Sequence, residues 1–478
     1  MLVIAVCLII LLLTFGASAI IYAAKQSGGD GDEKTTTEEH EYFFVNDPTS
    51  PATAPPSIVP APTGHQPGTQ PAPASTTSPT ASTMMATTTF RPDLMPMKPF
   101  ICLVTYGLRS NIPYPEDGLC DFLFIQFYID NDQIKAYFTI DTQVQKTFKE
   151  FEQLAKAGSR TRFGIDTPLS GAKGVGEYLK KGNIAEQSLK SLRDTNIAHY
   201  SALQVPFFNP KPWDQYVSMQ ETVLQKFREY LDKFNNVAQQ PGSTTDTHGF
   251  LIMGSWLISE QGLPNRKALV DRFNGIVSLV KPDAICFTVA WQSGQMTGTQ
   301  VSGGNLWKDD SYIGQPNFED TLGFRAGVTI PPDVRQLLGV AAYVTQYYTY
   351  SGTFSSKEEY DPDRNGQGTE SKDAAITNRS RICAAAAGDI NKADSTLHQQ
   401  YLFAKQLGYY TEVMVYDTPK DILWKMCMVA TTHSFDGGYV AHGIEFDDYA
   451  NKCNDNNYNS FTFTSYLKDY TTREYTTC

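Results

Sequence analysis

Short, continuous apolar runs alternate with segments of helical periodicity over most of the chain after residue 99. An apolar run of this kind is typical of a strand buried on both faces, as in a parallel sheet. The segments predicted as strands, several of which also contain polar residues, lie at 100–107, 121–127, 161–166, 198–208, 249–258, 284–290, 337–350 and 439–446. Helical periodicity covers 144–157, 184–193, 215–234, 266–280 and 397–407. This alternation predicts an α/β fold, a parallel (β/α)8 TIM barrel with insertions.

The last strand–helix–strand unit has the most complete local signals. An extended segment at 413–416 precedes Thr418, Pro419 and Asp421, which supply an N-cap, a proline in the first helical turn and the acidic residue of a capping box. Apolar residues then recur at spacings of three and four, and a DGG turn at 436–438 ends the crossover. An extended segment, a helix and a strand in this order indicate the last turn of a barrel or of a doubly wound sheet.

Two long segments lack a clear period. Residues 291–335 are glycine-rich and predict a long loop on the face where the strands end, which is where binding loops usually lie. Residues 351–391 are polar and charged and read as an insertion. The chain contains no HExxH, no CxxC and no phosphate-binding glycine loop, so the sequence predicts no metal and no cofactor.

The N-terminal part differs in composition from the rest. Residues 1–24 carry no charge and are long enough to span a bilayer. Two interpretations stay open: a cleaved signal peptide, with its site near Ala17-Ser18-Ala19, or an uncleaved signal anchor. Residues 25–98 predict a disordered Pro/Thr/Ser-rich stalk, either O-glycosylated or an ordinary linker. The barrel is then expected at 99–453, followed by a C-terminal tail at 454–478.

Charge and cysteine content narrow the functional class. The 478 residues carry a net charge of −12, which argues against nucleic acid or an anionic membrane surface as partner. Eight cysteines favour an oxidising compartment and disulfides. Asn378 begins an Asn-Arg-Ser sequon and is a candidate glycosylation site. We therefore expect an extracellular protein, either secreted or tethered through its N-terminal helix.

The closing unit carries a resemblance to a known family. The residues YDTPKDI, a helix, and then GGYVAHGIEFDDYANKC resemble the closing repeat of glycoside hydrolase family 18, the chitinases and chitinase-like proteins. That resemblance implies a (β/α)8 barrel over roughly residues 99–453. We interpret the chain as similar to a catalytically degenerate, arthropod-type member.

The resemblance also implies disulfide pairs. It places a bond between Cys102 in the first strand and Cys120 just before the second. It assigns Cys453 the role of the family's terminal cysteine, within reach of either Cys427 or Cys383. Spacing alone leaves the connectivity open. The favoured set is Cys427–Cys453 with Cys286–Cys383, which leaves Cys478 unpaired.

The family's catalytic motifs are absent. Its DxxDxDxE run at the end of strand four supplies a general acid and a carboxylate that positions the substrate's N-acetyl group. Here 200–209 contains no carboxylate, and the strand-six MxYD motif is replaced by the residues at 286–294. The strand-eight tryptophan of the family falls on His442. Glu445, Asp447 and Asp448 are expected to be structural, so the sequence predicts no hydrolase activity.

Aromatic residues near strand ends could still bind sugars, because pyranose rings stack on aromatic faces. The candidate carbohydrate-binding residues are Tyr106, Trp256, Trp291 and His442. One hypothesis is a lectin-like module for chitin or other glycans containing N-acetylglucosamine. A second is a protein-interaction or structural surface scaffold. A third is an active glycosidase with relocated carboxylates.

Overall fold

In this computed structural model, all described residues belong to one compact unit, Ala81–Cys478. They are 94–105, 112–136, 144–158, 160–207, 214–238, 248–257, 266–290, 304–305, 307–308, 316–350, 372–383, 390–394, 398–407, 410–454, 457–473 and 478. The predicted membrane or signal helix at 1–24 and the stalk up to residue 93 lie outside them. Within these ranges, no helix combines the length and apolar character needed to cross a bilayer.

The strands and helices have the following bounds. The strands are β1 Phe100–Val104, β2 Phe122–Asp130, β3 Gln133–Ala136, β4 Arg162–Asp166, β5 Ile197–Ala202, β6 Pro206–Phe207, β7 Leu251–Leu257, β8 Ala284–Thr288, β9 Arg335–Ala341, β10 Val344–Tyr350, β11 Lys372–Thr377, β12 Ile390–Asp394, β13 Gln399–Leu407, β14 Tyr410–Tyr416 and β15 Gly438–His442. The helices are α1 Val144–Ala157, α2 Ala172–Leu179, α3 Asn183–Arg193, α4 Asp214–Ala238, α5 Arg266–Val280, α6 Phe318–Gly327, α7 Ser380–Cys383, α8 Pro419–Thr432 and α9 Thr462–Thr471.

Eight parallel strands form a closed barrel. In spatial order they are β1, β2, β4, β5, β7, β8, β9 and β15, and β15 pairs back onto β1. The predicted (β/α)8 barrel is therefore confirmed. The continuous apolar runs arise because each strand is covered on both faces. Helices pack outside, as in the stack of Tyr200 on Phe227 of α4.

Side chains that point into the barrel fill most of its interior. The apolar ones are Ile101, Leu103, Phe122, Phe124, Leu203, Phe250, Ile252, Ala284, Cys286, Leu337 and Val440. Met95 joins them and is buried, and the Arg162 guanidinium donates to the Leu94 carbonyl at 3.0 Å. Some of the chain before the expected boundary at residue 99 is thus part of the packed structure.

A second, antiparallel sheet is inserted between β9 and α8. Its strand order is β11-β10-β14-β13-β12, and we call it the small sheet. It accounts for several differences from the sequence expectations. The run at 337–350 is not one strand, because the barrel strand β9 ends at Ala341 and the small-sheet strand β10 starts at Val344. The helix predicted at 397–407 is wrong, because this segment is strand β13.

Other segments contain more structure than predicted. The extended segment at 413–416 is a strand, but β14 belongs to the small sheet rather than to the barrel. The loop expected at 291–335 contains α6, and the insertion at 351–391 contains β11 and α7. The expected tail at 454–478 contains α9, the helix that follows the eighth barrel strand.

The disulfide pattern differs in part from the favoured set. The Cys102–Cys120 bond is present. Cys453 pairs with Cys383 rather than with Cys427, and Cys427 pairs with Cys478. The predicted Cys286–Cys383 bond is wrong, because Cys286 is a free, buried thiol inside the barrel. The predicted Cys427–Cys453 bond is wrong because α7 brings Cys383 to Cys453, while residue 478 reaches α8.

Candidate functional site: the carboxyl end of the barrel

In barrels of this type, ligands bind at the carboxyl ends of the strands. At that end, buried polar side chains occupy the inward positions of several strands. They are Thr105, Gln126, Asp166, Ser201, Thr288 and His442. We call the space that they surround the barrel mouth. Of the candidates from sequence, only His442 is among them.

The fourth barrel strand, β5, presents no carboxylate to the interior. Its inward residues are His199 and Ser201, and Leu203, just beyond the end of the strand, also points inward. The His199 ring stacks on Phe250 at 5.3 Å, and its Nδ1 accepts the Phe250 backbone N–H at 3.1 Å. Burial, followed by the charge of Arg162, holds the pKa of His199 well below its usual range. The inward face of β5 therefore lacks the acid–carboxylate pair that glycoside hydrolysis requires.

Beyond Ala202 the strand bulges into the barrel. Ala202 pairs with Met253 and Pro206 pairs with Trp256, so three residues on one side face two on the other. This mismatch is a β-bulge, a feature common at barrel rims. The backbone N–H of Leu203 donates to Asp166 Oδ1 at 2.9 Å, and its carbonyl accepts from Thr288 Oγ1 at 3.1 Å. Side chains from the third and sixth strands thus fix the bulge.

Asp166, a mouth carboxylate that the sequence reasoning missed, lies at the end of β4. Its Oδ1 accepts the Ser201 hydroxyl at 2.8 Å as well as the Leu203 N–H, and its Oδ2 accepts Gln126 Nε2 at 3.1 Å. Burial raises the pKa of Asp166, and these three hydrogen bonds oppose that rise. A carboxylate closing a predicted barrel strand was the signal that could have identified it.

His442, Thr288 and Cys286 meet at Gly339 of β9. A Cβ on this glycine would lie 2.7 Å from His442 Nε2, 3.0 Å from Thr288 Oγ1 and 3.1 Å from Cys286 Sγ. Both ring nitrogens of His442 are buried without a hydrogen-bond partner, and burial lowers its pKa to about 3. Burial also raises the pKa of the Cys286 thiol to about 12. Both groups are therefore neutral at physiological pH.

The carboxylates after β15 bind backbone groups. Glu445 Oε1 accepts the Thr105 N–H at 2.9 Å. Asp447 Oδ2 accepts the backbone N–H of Thr464 at 2.8 Å, at the first turn of α9. Asp448 accepts two further backbone N–H groups, from Lys452 and Cys453, at 2.8 Å each. These contacts agree with the structural role expected for the three acidic residues.

The predicted sugar-binding residues are only partly described. Trp256 lies at the end of β7, faces inward and is 6% exposed. Tyr106 and Trp291 lie outside the described residues. The Asn378 side chain is half-buried, and its Nδ2 donates to the Asp447 carbonyl at 2.9 Å. Across the described ranges, no group of three or more His, Cys, Asp or Glu side chains could hold a metal ion.

A small aromatic and apolar cluster lies beside the mouth at the ends of the sixth and seventh strands. It contains Ala290, Ala341 and Tyr343, with Ile376 of β11 and Phe446 packed against it. Asn305 binds the end of β9 here, because its side chain forms two hydrogen bonds with the backbone of Ala341, the last residue of that strand. The small sheet therefore borders the mouth.

Comparison with known proteins supports the architecture. No protein-family model and no curated protein sequence matches the chain. Among solved structures, the chain is similar to human YKL-39, described as a pseudo-chitinase with retained chitooligosaccharide binding, at 13% identity and a TM-score of 0.54, over 78% of this chain and 99% of that one. YKL-39 crystallised with chitooligosaccharides gives 15% identity and a TM-score of 0.52, over 79% and 100% of the two chains.

The chain is also similar in structure to the bacterial chitinase ChiW from a Paenibacillus species. It matches at 11% identity with a TM-score of 0.51, over 79% of this chain and 43% of that one. At such identities the likeness concerns the fold. The chain thus has the barrel found in chitinases and chitinase-like proteins.

Proposed function

We propose that this chain is a non-hydrolytic, chitinase-like extracellular protein that binds chitin or another glycan containing N-acetylglucosamine at the barrel mouth. The observation that carries the proposal is the inward face of β5. Its side chains are an imidazole, a hydroxyl and an isobutyl group, where hydrolysis by this fold needs carboxylates.

Asp166 does not replace the missing pair. A general acid must be protonated and must reach the glycosidic oxygen. Both oxygens of Asp166 instead accept hydrogen bonds, from Gln126, Ser201 and the Leu203 N–H. The Gln126 Nε2–H and the Leu203 N–H can only donate, so they favour the charged carboxylate and oppose the burial that raises the pKa of Asp166. Asp166 then stabilises the bulge, because it accepts the Leu203 N–H.

Binding without cleavage requires contact surfaces rather than acids. Trp256 is positioned at the mouth by its backbone N–H, which donates to the Val205 carbonyl at 2.8 Å. In the sequence, Tyr106 comes two residues after β1 and Trp291 three residues after β8; both lie outside the described residues, and this proposal assigns them to the same opening. Aromatic rings there suit the apolar faces of pyranose rings. YKL-39 combines the same fold with chitooligosaccharide binding and the loss of hydrolysis.

Three disulfides support a location outside the cytosol. Within this proposal, residues 1–24 either are cleaved or anchor the chain in a membrane, and the Pro/Thr/Ser-rich stalk at 25–98 stays a prediction. Glycosylation of Asn378 and membership of an arthropod-type group remain predictions.

The test measures binding and turnover on the same preparation. We expect the full chain, purified from a eukaryotic secretory host, to bind chitin beads and chitotetraose but to release no product from fluorogenic chitobioside or chitotrioside. Trp256→Ala and Trp291→Ala should each weaken chitotetraose binding at least about tenfold, because each removes one stacking surface. Trp424→Ala is the matched control, since this half-buried tryptophan lies on α8 outside the mouth.

Other outcomes would point to other functions. Turnover that is lost in Asp166→Asn would contradict the proposal and indicate a glycosidase with relocated carboxylates. Absence of glycan binding, together with capture of a defined protein partner by the intact chain, would favour the scaffold function. Equal chitotetraose affinity of the parent and both tryptophan variants would show that the assigned binding residues are wrong.

A further inference from the structure

The segment Asn378–Cys383, here called the clasp, leaves the small sheet after β11 and lies against the chain that follows β15. Asn378 Nδ2 donates to the Asp447 carbonyl at 2.9 Å. The backbone N–H of Arg379 donates to the Phe446 carbonyl at 2.8 Å. The Cys383–Cys453 disulfide closes the other end. The clasp thus joins the small sheet to the barrel through backbone, side-chain and covalent contacts.

The Arg379 side chain lies at the centre of these contacts. It is 5% exposed, and its guanidinium carbon lies 3.8 Å from the centroid of the Phe463 ring on α9. Its Nη2 atom donates a hydrogen bond to the backbone carbonyl of Asp417, at the junction of β14 and α8. Burial lowers its pKa, and the charges of Asp447 and Asp417 oppose that effect. One buried cation therefore contacts two separate parts of the fold, and the charge of Asp447 acts on it from a third.

Asp417 extends this arrangement into the barrel. Its Oδ1 accepts the buried Lys425 ammonium at 2.7 Å, and its Oδ2 accepts Asn305 Nδ2 at 2.8 Å. Asn305 in turn binds the backbone of Ala341 at the end of β9. A continuous set of polar contacts consequently runs from Arg379 to the rim of the mouth.

Arg381, two residues further along, offers a contrast. Its side chain is 46% exposed and pairs with Glu412 at 2.6 Å. It also donates to Gln346 Oε1 at 3.1 Å. Glu412 lies on β14 and Gln346 on β10, so these partners both belong to the small sheet. Arg381 has the same chemistry as Arg379 without these contacts to the barrel.

We infer that Arg379 is a positioning residue that fixes the small sheet against the barrel mouth. Ile376 of β11 packs on Ala341 and Tyr343 beside the mouth, so displacement of the sheet changes the shape of the opening. Arg379 influences ligand binding through that shape and does not itself contact ligand. The part of the inference that concerns ligand rests on the proposed glycan site; the part that concerns the sheet does not.

The experiment compares backbone amide hydrogen exchange in the full chain and three variants, Arg379→Met, Arg379→Lys and Arg381→Met. In Arg379→Met, the stacked cation is lost while the disulfide keeps the clasp attached, so the chain should still fold. We expect exchange in β10 and β11 to rise about tenfold or more, with β4 and β5 unchanged. Arg379→Lys should be intermediate, because an ammonium keeps the charge but not the planar stacking. Arg381→Met removes the cation beside Glu412, which is 6% exposed, so its exchange should rise at β14 but change less than about threefold at β11.

Parental exchange in β10 and β11 of Arg379→Met would overturn the inference, and so would a uniform rise across the barrel, which indicates a general structural role. Chitotetraose affinity gives the second readout: we expect it to fall about tenfold in Arg379→Met and to recover partly in Arg379→Lys. If the parent binds chitotetraose and Arg379→Met binds it equally well, the link to the mouth is wrong. If the parent binds no chitotetraose, the proposed function fails, while the exchange data still decide whether Arg379 holds the sheet.

Discussion

Gly254 illustrates how single residues shape the barrel mouth. A Cβ at this position in β7 would lie 1.9 Å from the carbonyl oxygen of Leu203, closer than any real Cβ contact. The clash would be with the backbone of Leu203. Hydrogen bonds to the side chains of Asp166 and Thr288 hold this backbone from two sides, so the bulge cannot move away freely. The absence of a side chain at residue 254 is therefore a condition for the inward path of Leu203.

We expect Gly254→Ala to lower the free energy of unfolding by about 2 kcal/mol or more, because overpacking beside fixed backbone is costly. Gly174→Ala is the matched control. Gly174 lies in α2, and a Cβ there meets nothing within 4 Å. A helix-interior alanine should be neutral or stabilise by up to about 1 kcal/mol. Urea unfolding of both variants measures the difference, and equal stability of the two would refute this account of the bulge.

The helix α8 shows at the scale of an element what local sequence can predict. Its N-terminus was predicted from Thr418, Pro419 and Asp421, and the structure contains the full capping box. The Thr418 hydroxyl accepts the Asp421 N–H at 3.2 Å, and the Asp421 carboxylate accepts the Thr418 N–H at 2.9 Å. Caps depend on neighbours within one turn, so the sequence contains all the necessary information.

Thr418→Ala should destabilise the protein by about 1 kcal/mol, since it leaves the Asp421 N–H without its side-chain partner. Thr222→Ala serves as the comparison: its hydroxyl donates to the Ser218 carbonyl within α4 and caps nothing. We expect that change to lie within about 0.5 kcal/mol of the parent. Chemical denaturation monitored by circular dichroism provides the measurement. An equal loss in both variants would contradict the assigned cap.

Elements whose identity depends on distant partners were predicted less well. Residues 397–407 have helical spacing, yet pairing with β12 and β14 makes them a strand. The run at 337–350 is mainly apolar and aromatic, and nothing local marks Ala342 as the point where the chain leaves one sheet for another. Pairing across tens of residues overrides local propensity in both cases. The same reason explains the disulfides, where spacing left both Cys383 and Cys427 open for Cys453 and the favoured partner, Cys427, was wrong.

At the scale of the whole molecule, the barrel itself followed from the alternation of apolar runs and helical segments, whereas the content of its mouth did not. The loss of strand-four carboxylates was visible in the sequence. The contacts of Asp166, the bulge at Leu203 and the clasp at Arg379 become visible only when strands distant in sequence are neighbours. A barrel reuses one chain pattern eight times, so its architecture is easier to predict than the side chains that meet inside it.

Two buried imidazoles, His199 and His442, give the whole molecule a pH dependence. Both have a folded-state pKa below the unfolded value, about 3 in the case of His442, because burial disfavours the charged form. The unfolded chain therefore binds protons that the folded chain does not as pH falls below about 6.5. Each imidazole should lower stability by about 1.4 kcal/mol per pH unit in that range, until its folded-state pKa is reached.

Buried carboxylates such as Asp166 and Asp447 have a raised pKa and act in the opposite direction, so the parent profile alone does not isolate the imidazoles. His442→Leu removes one imidazole and leaves those carboxylates in place. We expect the stability of this variant relative to the parent to rise steadily as pH falls from about 6.5 to about 4.5. Urea unfolding at several pH values measures that difference. A constant difference across this range would mean that His442 is protonated in the folded chain as readily as in the unfolded chain. A charged ring inside the barrel would then require a hydrogen-bond partner.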